Sequence, residues 1–222
     1  QEVLVCVKTS HGQLVLEQDG FLRAFDMSTV LWPAGFFLAV WVSAHCPALA
    51  GASVLELGAG VGAASIAAGL CGSRHMLATD KEAHGLVNIR ANARINGVVV
   101  TTAVLDWDKD ADLDAAARQG PFDVVLGAGL APHRWAPRLL ASLASLLRPG
   151  TGKALLCHGA GDLADHLPVV GGLVGGGSLQ LEQVIPGDDY GLQTRWGTAS
   201  EFELVVLSHA GGGGGRAEGG EL

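Results

Sequence analysis

The residues best suited to chemistry are three glycines and two acids. Glu56-Leu57-Gly58-Ala59-Gly60-Val61-Gly62 closes one apolar run and opens a helical one. Glycines at alternate positions let the backbone turn tightly and let a ligand approach the main chain closely. A helix beginning there leaves its first N–H groups without intrahelical partners. Such groups accept a phosphate, or equally the carboxylate of an amino-acid-like ligand. Asp80 ends the next apolar run, and an acid at that place suits a ribose diol, whose hydroxyls donate to a carboxylate. The dinucleotide fingerprint is GxGxxG, whereas this turn is GxGxG followed by Ala63. Glu56, two residues before the first glycine, would repel a pyrophosphate and attract the ammonium of a methionine moiety. These features favour S-adenosylmethionine over NAD. A tight turn with no ligand is the plainer alternative, and the coincidence with Asp80 argues against it.

Positioning such a turn requires a strand before it and a helix after it. Ser53–Leu57 is a continuous apolar strand, and a helix is expected over about 62–71. His75–Thr79 is a second strand, followed by a helix over 82–95 that closes at Asn96-Gly97. Further strands are expected at 98–104, 122–126 and 153–158, with a helix over 134–147 stopped by Arg148-Pro149-Gly150. Strands alternating with helices imply βαβ units and a parallel sheet covered on both faces. Runs that are apolar throughout agree with strands buried on both sides. The end differs: 178–185 and 203–208 are strands without a full helix between them, which fits an antiparallel strand at one edge. Before the sheet, 3–7 and 13–17 flank His11-Gly12 as a hairpin, and Leu31–Ala44 is a helix with Pro33 in its first turn. The expected fold is therefore α/β: a Rossmann-like, doubly wound, mostly parallel seven-stranded sheet with an antiparallel edge strand and an N-terminal β-hairpin. Residues 1–28 form the hairpin extension and 29–210 the main domain. The Gly-rich stretch 211–222 is expected to be disordered.

The chain has 222 residues, 49% hydrophobic and 16% charged, which suits one folded domain with small additions. Its formal net charge of -8 disfavours a broad nucleic-acid surface, because neutralising phosphates needs clustered Lys and Arg. No apolar run reaches the ~20 residues needed to cross a bilayer. Cys6, Cys46, Cys71 and Cys157 lack zinc-ligand or CxxC spacing and are expected to be reduced, small buried hydrophobes. No metal site is expected. The expected compartment is intracellular, cytoplasm or nucleus, with an organelle left open because the chain begins at Gln1.

Together these segments resemble a known family. Leu31-Trp32-Pro33-Ala34, the turn from Val54 to Gly62, Ala78-Thr79-Asp80, Asn88 and Asn92, Leu105-Asp106-Trp107 and Asp123–Ala128 are similar to the eukaryotic seven-stranded (class I) protein methyltransferases of the family 16 type, which modify mainly lysine. The resemblance covers about residues 13–210, and the Trp-Pro-Ala and Leu-Asp-Trp segments are its most specific parts. It implies that Trp32 lies near the cofactor, and that Glu56, Gly58 and Gly60 hold the methionine end. Asp80 would take the ribose hydroxyls, while Asp106 and Trp107 flank the adenine. Ala59, Gly62, Lys81 and Ala128 complete the cofactor set. Core packing is the plainer role for Trp32 and Trp107, and turn or cap hydrogen bonds are expected for Asn88 and Asn92.

The resemblance also has a gap. The family continues Gly-Ala with an acid and, three residues later, an aromatic residue, at the mouth where the target amine enters. Here those positions hold Gly129 and Pro132, and the nearest polar and aromatic groups are His133 and Trp135. The expected function is S-adenosylmethionine-dependent methylation of a protein side chain, lysine foremost, with S-adenosylhomocysteine as product. The alternative is a retired methyltransferase fold that serves as a binding or assembly component. The expected partner is a protein substrate or complex partner, without a membrane or direct nucleic-acid contact.

Overall fold

The computed structural model describes residues 2–10, 12–19, 27–130, 136–159, 178–187, 193–194, 197–198 and 202–210. The two N-terminal runs, β1 (Glu2–Thr9) and β2 (Gly12–Asp19), pair antiparallel from Thr9↔Gly12 to Glu2↔Asp19. A single 3-10 turn, Met27–Thr29, leads into α1 (Pro33–Ala44) and the short α2 (Cys46–Leu49). The alternating part follows: β3 (Ser53–Leu57), α3 (Ala63–Leu70), β4 (His75–Asp80), α4 (Gly85–Ile95), β5 (Thr101–Val104), α5 (Asp110–Ala117), β6 (Val124–Ala128), α6 (Ala136–Leu146) and β7 (Lys153–Gly159). It ends with β8 (Leu179–Pro186), the two-residue pair β9 (Gln193–Thr194) and β10 (Gly197–Thr198), and β11 (Phe202–His209).

The main sheet has seven strands in the order β5-β4-β3-β6-β7-β11-β8. The first five run parallel, and β11 enters antiparallel between β7 and β8. Its chain-order reversal lies between β3 and β6, where open α/β sheets place their ligand crevice. One face buries Phe37, Leu38 and Trp41 of α1, Ile66 of α3, and Val7, Leu14 and Leu16 of the hairpin. Inward-facing hairpin residues thus belong to the main core. The other face packs Leu139, Leu143 and Leu146 of α6 against Leu55, Leu57 and Val125.

Several boundaries differ from the sequence expectation. The third strand begins at Thr101 rather than Val98, because Gly97 (φ +68°) caps α4 and Val98 N–H donates back to Ala93 O at 3.0 Å. The helix α5 had no counterpart in the sequence reading: of its eight residues only Ala116 is buried, so no apolar stripe marks it. Cys46 and Cys71 form a disulfide with Cα atoms 4.8 Å apart, against the expectation of four reduced cysteines. The physical reason is packing of α1 on α3, which brings together residues that share no sequence motif: Cys46 just beyond the end of α1 and Cys71 at the end of α3. Residues 211–222 lie outside the described residues.

Candidate functional site

The glycine turn leaves β3 and passes under the segment that precedes α1. Gly58 (φ +59°) and Gly60 (φ +53°) both take left-handed backbone. A side chain at Gly58 would also overlap Leu130. Gly60 faces Ser28 O, 3.5 Å from an ideal Cβ. Asp80 holds the turn from the neighbouring strand: Gly60 N–H donates to its Oδ2 at 3.0 Å, and Glu82 N–H donates to its Oδ1 at 3.1 Å. Parallel register sets this meeting, since Glu56 pairs with Ala78 and the two strands end together.

Glu56 is buried. Its Oε2 accepts Ser65 N–H at 2.8 Å and also the Ser65 hydroxyl. Ser65 lies in the first turn of α3, so Glu56 acts as a tertiary cap on that helix. One N–H expected to meet a ligand is therefore already taken. Oε1 takes part in neither bond. Burial raises the Glu56 carboxyl from 4.5 to about 7, against the lowering effect of the two Ser65 bonds, with Asp80 adding repulsion.

Trp32 stands just before α1 in extended backbone, and its carbonyl accepts Phe36 N–H at 3.0 Å. It is 47% exposed and lines the cleft, which rules out core packing as its main role. The hairpin pins this segment: Leu31 N–H donates to Gln18 Oε1 at 2.9 Å. On the far side, Asp106 and Trp107 follow β5. Asp106 accepts Asp108 N–H and pairs with Lys109, while Trp107 O accepts Arg138 Nε–H at 2.9 Å. Trp107 packs partly buried against the second core.

These elements enclose one cleft of about 830 Å³. Of the sequence candidates, Trp32, Glu56, Gly58, Ala59, Gly60, Asp80, Lys81, Asp106, Trp107 and Ala128 line it. Gly62 does not line it. Its left-handed backbone (φ +82°) instead starts α3, with an ideal Cβ 3.0 Å from Ile89, so its absence of a side chain serves helix packing. Gly129 lines the cleft. Pro132, His133 and Trp135 lie outside the described residues. Asn92 is not a local cap: it reaches the hairpin and Val61 O, as developed below.

Sequence reasoning missed Gly159 and Phe202, which line the cleft from β7 and β11. They pair directly across the ladder, but only the order of strands brings them to the glycine turn. Cys157, beside them, is no nucleophile: burial pushes its thiol up to about 12. Among the described residues no group of His, Cys, Asp or Glu is arranged to hold a metal ion, and no helix is long and apolar enough to cross a membrane.

A family model described as lysine methyltransferase matches residues 8–161. The chain is 31% identical over 155 residues to the protein N-lysine methyltransferase METTL21A of Danio rerio, covering 67% of this chain and 68% of the relative. It is 31% identical over 101 residues to the electron transfer flavoprotein beta subunit lysine methyltransferase of Rattus norvegicus, covering 44% of this chain and 36% of that protein. The chain spans between about a quarter and a half of the first curated relatives it matches. Among solved structures, the 16S rRNA N2 G1207 methyltransferase of T. thermophilus, in complex with AdoMet and guanosine, superposes with a TM-score of 0.63 at 16% identity, over 92% of this chain and 50% of that one. At that identity the likeness speaks for the fold alone.

Proposed function

The chain belongs to the lysine methyltransferase family, and we propose that it transfers a methyl group from S-adenosylmethionine to a protein side chain, with lysine as the target. The observation that carries this reading is the convergence of three loops on one cleft. The turn after β3, Asp80 at the end of β4 and Asp106-Trp107 after β5 all face the same space.

The residues present fit the cofactor. A volume of about 830 Å³ lies within the range of ~300–1,000 Å³ common for small-molecule sites. Gly58 and Gly60 leave bare backbone beside the cleft, and a side chain at Gly58 would collide with Leu130. Glu56 offers a buried carboxylate oxygen to the ammonium of the methionine end. Asp80 offers its carboxylate to ribose hydroxyls, and Trp107 offers indole surface to the adenine. Bound there, the cofactor supplies a methyl group activated on a sulfonium. The work left to the chain is positioning: it must align an amine with that methyl and keep competing water out.

Relatives named for modifying lysine support a protein acceptor. The test uses the purified chain, labelled cofactor and a cell extract, with cofactor affinity measured separately by calorimetry. Label in a discrete protein band, released as methylated lysine on hydrolysis, is the expected result. No labelled band under saturating cofactor, with cofactor binding intact, would count decisively against it.

A further inference from the structure

Ser65 is the single polar residue of α3, whose sequence is Ala-Ala-Ser-Ile-Ala-Ala-Gly-Leu. It is 0% exposed, and its helical neighbours Ala63, Ala64, Ile66, Ala67 and Ala68 all belong to the first core. Alanine at this place would be the better helix former and would bury no hydroxyl. The hydroxyl does not turn back on its own helix. It donates to Glu56 Oε2, the same oxygen that accepts Ser65 N–H at 2.8 Å. The N–H bond already satisfies that backbone donor at the helix end. The hydroxyl therefore serves the carboxyl rather than the helix.

The consequence lies at the other oxygen. With both Ser65 bonds on Oε2, Oε1 makes no hydrogen bond among the described residues, and Glu56 lines the cleft. In the sheet Glu56 pairs with Ala78 of β4 and Leu126 of β6, neither of them charged. Asp80, at the end of β4, repels a second negative charge. Lys81, Glu82 and His84 beyond β4, and Asp106 and Asp108 beyond β5, share the cleft. The α1 residues that line it, Pro33, Ala34 and Gly35, carry no charge. On β7 and β11, His158 and Glu203 stand next to the lining residues Gly159 and Phe202. Burial is the largest influence on Glu56 and lifts its carboxyl to about 7, while the two Ser65 bonds pull it back.

We propose, building on the cofactor reading above, that Ser65 is a positioning residue for the methyl donor: through Glu56 it leaves one carboxylate oxygen to the cleft and holds that carboxyl ready for the ammonium of the methionine end. A neutral carboxylic acid forms no ion pair with an ammonium, so Glu56 must be ionised in the complex. In the empty cleft near neutral pH it is partly protonated. Binding therefore expels the Glu56 proton to solvent, and no other bond forms or breaks. Hydrogen bonds to the charged form favour that form. Two donors on a single oxygen do so without occupying the oxygen the ligand needs. With the hydroxyl removed the backbone bond remains, the carboxyl rises further, and the proton is harder to expel.

The test compares wild type and Ser65→Ala for binding of S-adenosylhomocysteine, by calorimetry at pH 6 and pH 9. At pH 6 a carboxyl with a pKa of about 7 is ionised in about a tenth of the molecules, and each further unit lowers that fraction about tenfold. The variant should bind about tenfold weaker at pH 6 for each unit its Glu56 gains, and within about twofold of wild type at pH 9. The ligand's own amine, with a pKa of about 7.7–8.0, weakens both proteins alike at pH 9 and drops out of the comparison. Methylthioadenosine, which lacks the methionine end, should bind both proteins equally at either pH. Ser65→Cys, a weaker donor of like shape, should fall between the two. In a Glu56→Gln background, Ser65→Ala should add no pH-dependent loss. Carbon-13 NMR of the Glu56 carboxyl reads its titration without ligand, and melting curves check folding. A deficit equal at both pH values, no deficit at pH 6, or a Glu56 titration that Ser65→Ala leaves in place overturns the proposal. Wild type that binds neither adenosyl ligand at any pH would sink the cofactor reading along with it. Absence of methyl transfer to extract proteins, with the pH-dependent deficit intact, would sink the methyl-transfer reading and leave the role of Ser65 standing.

Discussion

Replacing Asn92 by alanine removes three hydrogen bonds that join the N-terminal hairpin to the glycine turn. Asn92 is 0% exposed. Its Oδ1 accepts Glu17 N–H at 2.7 Å, and its Nδ2 donates to Glu17 O at 3.1 Å and Val61 O at 3.0 Å. Asn96, one helical turn on, grips Val15 in the same way, with Val15 N–H donating at 2.9 Å and Val15 O accepting at 2.6 Å. The two amides treat α4 as a neighbour to β2 and complete the hydrogen bonding of one strand edge. In the alanine variant Val61 O loses its donor inside the core, a loss of about 1–3 kcal/mol. The two Glu17 bonds are only part-buried, so water partly replaces them and each costs about 0.5–1.5 kcal/mol. The expected total is about 4 kcal/mol, which corresponds to a fall in Tm of about 8–16 °C for a chain of this size. Asn92→Asp should do at least as much harm, because it sets a second oxygen against the carbonyls of Glu17 and Val61. Since Val61 belongs to the cofactor turn, cofactor affinity should also fall, by about tenfold for each ~1.4 kcal/mol lost there. Urea unfolding of wild type, Asn92→Ala and Asn92→Asp, with calorimetry on the folded forms, makes the measurement. An alanine variant within about 1 kcal/mol of wild type, or an aspartate variant as stable as wild type, would refute the bridging role.

Other outcomes follow from the same geometry. The Glu56 carboxyl is raised from 4.5 to about 7, so between those values the native state holds a proton that the unfolded chain has released. Stability of the cofactor-free protein should therefore rise as pH falls from 8 to 5, by up to about 3 kcal/mol. Glu56→Gln should flatten that slope, and an unchanged slope in the variant would assign it elsewhere. Gly58→Ala meets both left-handed backbone and Leu130. It should weaken cofactor binding at least tenfold by calorimetry, and adding Leu130→Ala should restore part of the loss; full affinity in the single variant would contradict the turn's geometry. The Cys46–Cys71 bridge closes a loop of 25 residues, worth about 3.5 kcal/mol in a chain-entropy model. Reductant should lower Tm by several degrees, and thiol counting on the unreduced protein should find Cys6 and Cys157 alone. Four reactive thiols would show that the bridge does not form.

Much of the site was legible because its parts are local in the chain. A strand, a glycine turn and a helix in succession create the cofactor turn wherever they occur, and the spacing Gly58, Gly60 with Glu56 before them already selects among ligands. Asp80 was legible for a related reason: consecutive parallel strands neighbour each other here, so the end of β4 meets the end of β3. The gap at Gly129 was equally plain in the residues themselves.

What tertiary structure alone decided depends on which distant segments become neighbours. Gly62 satisfies the sequence pattern but turns to Ile89, because the first helical turn points it away from the cleft. Glu56 faces Ser65 as well as the ligand space, and burial, invisible in a string of letters, raises its carboxyl. Asn92, Cys46 and Cys71 found partners 75, 25 and 25 residues away. Phe202 reaches the cleft because β11 inserts antiparallel beside β7. The cofactor half of this protein is written in contiguous residues, whose backbone geometry is set within a few bonds. The end of the cleft lined by Gly159 and Phe202 is assembled by strand order, which depends on packing over the whole sheet.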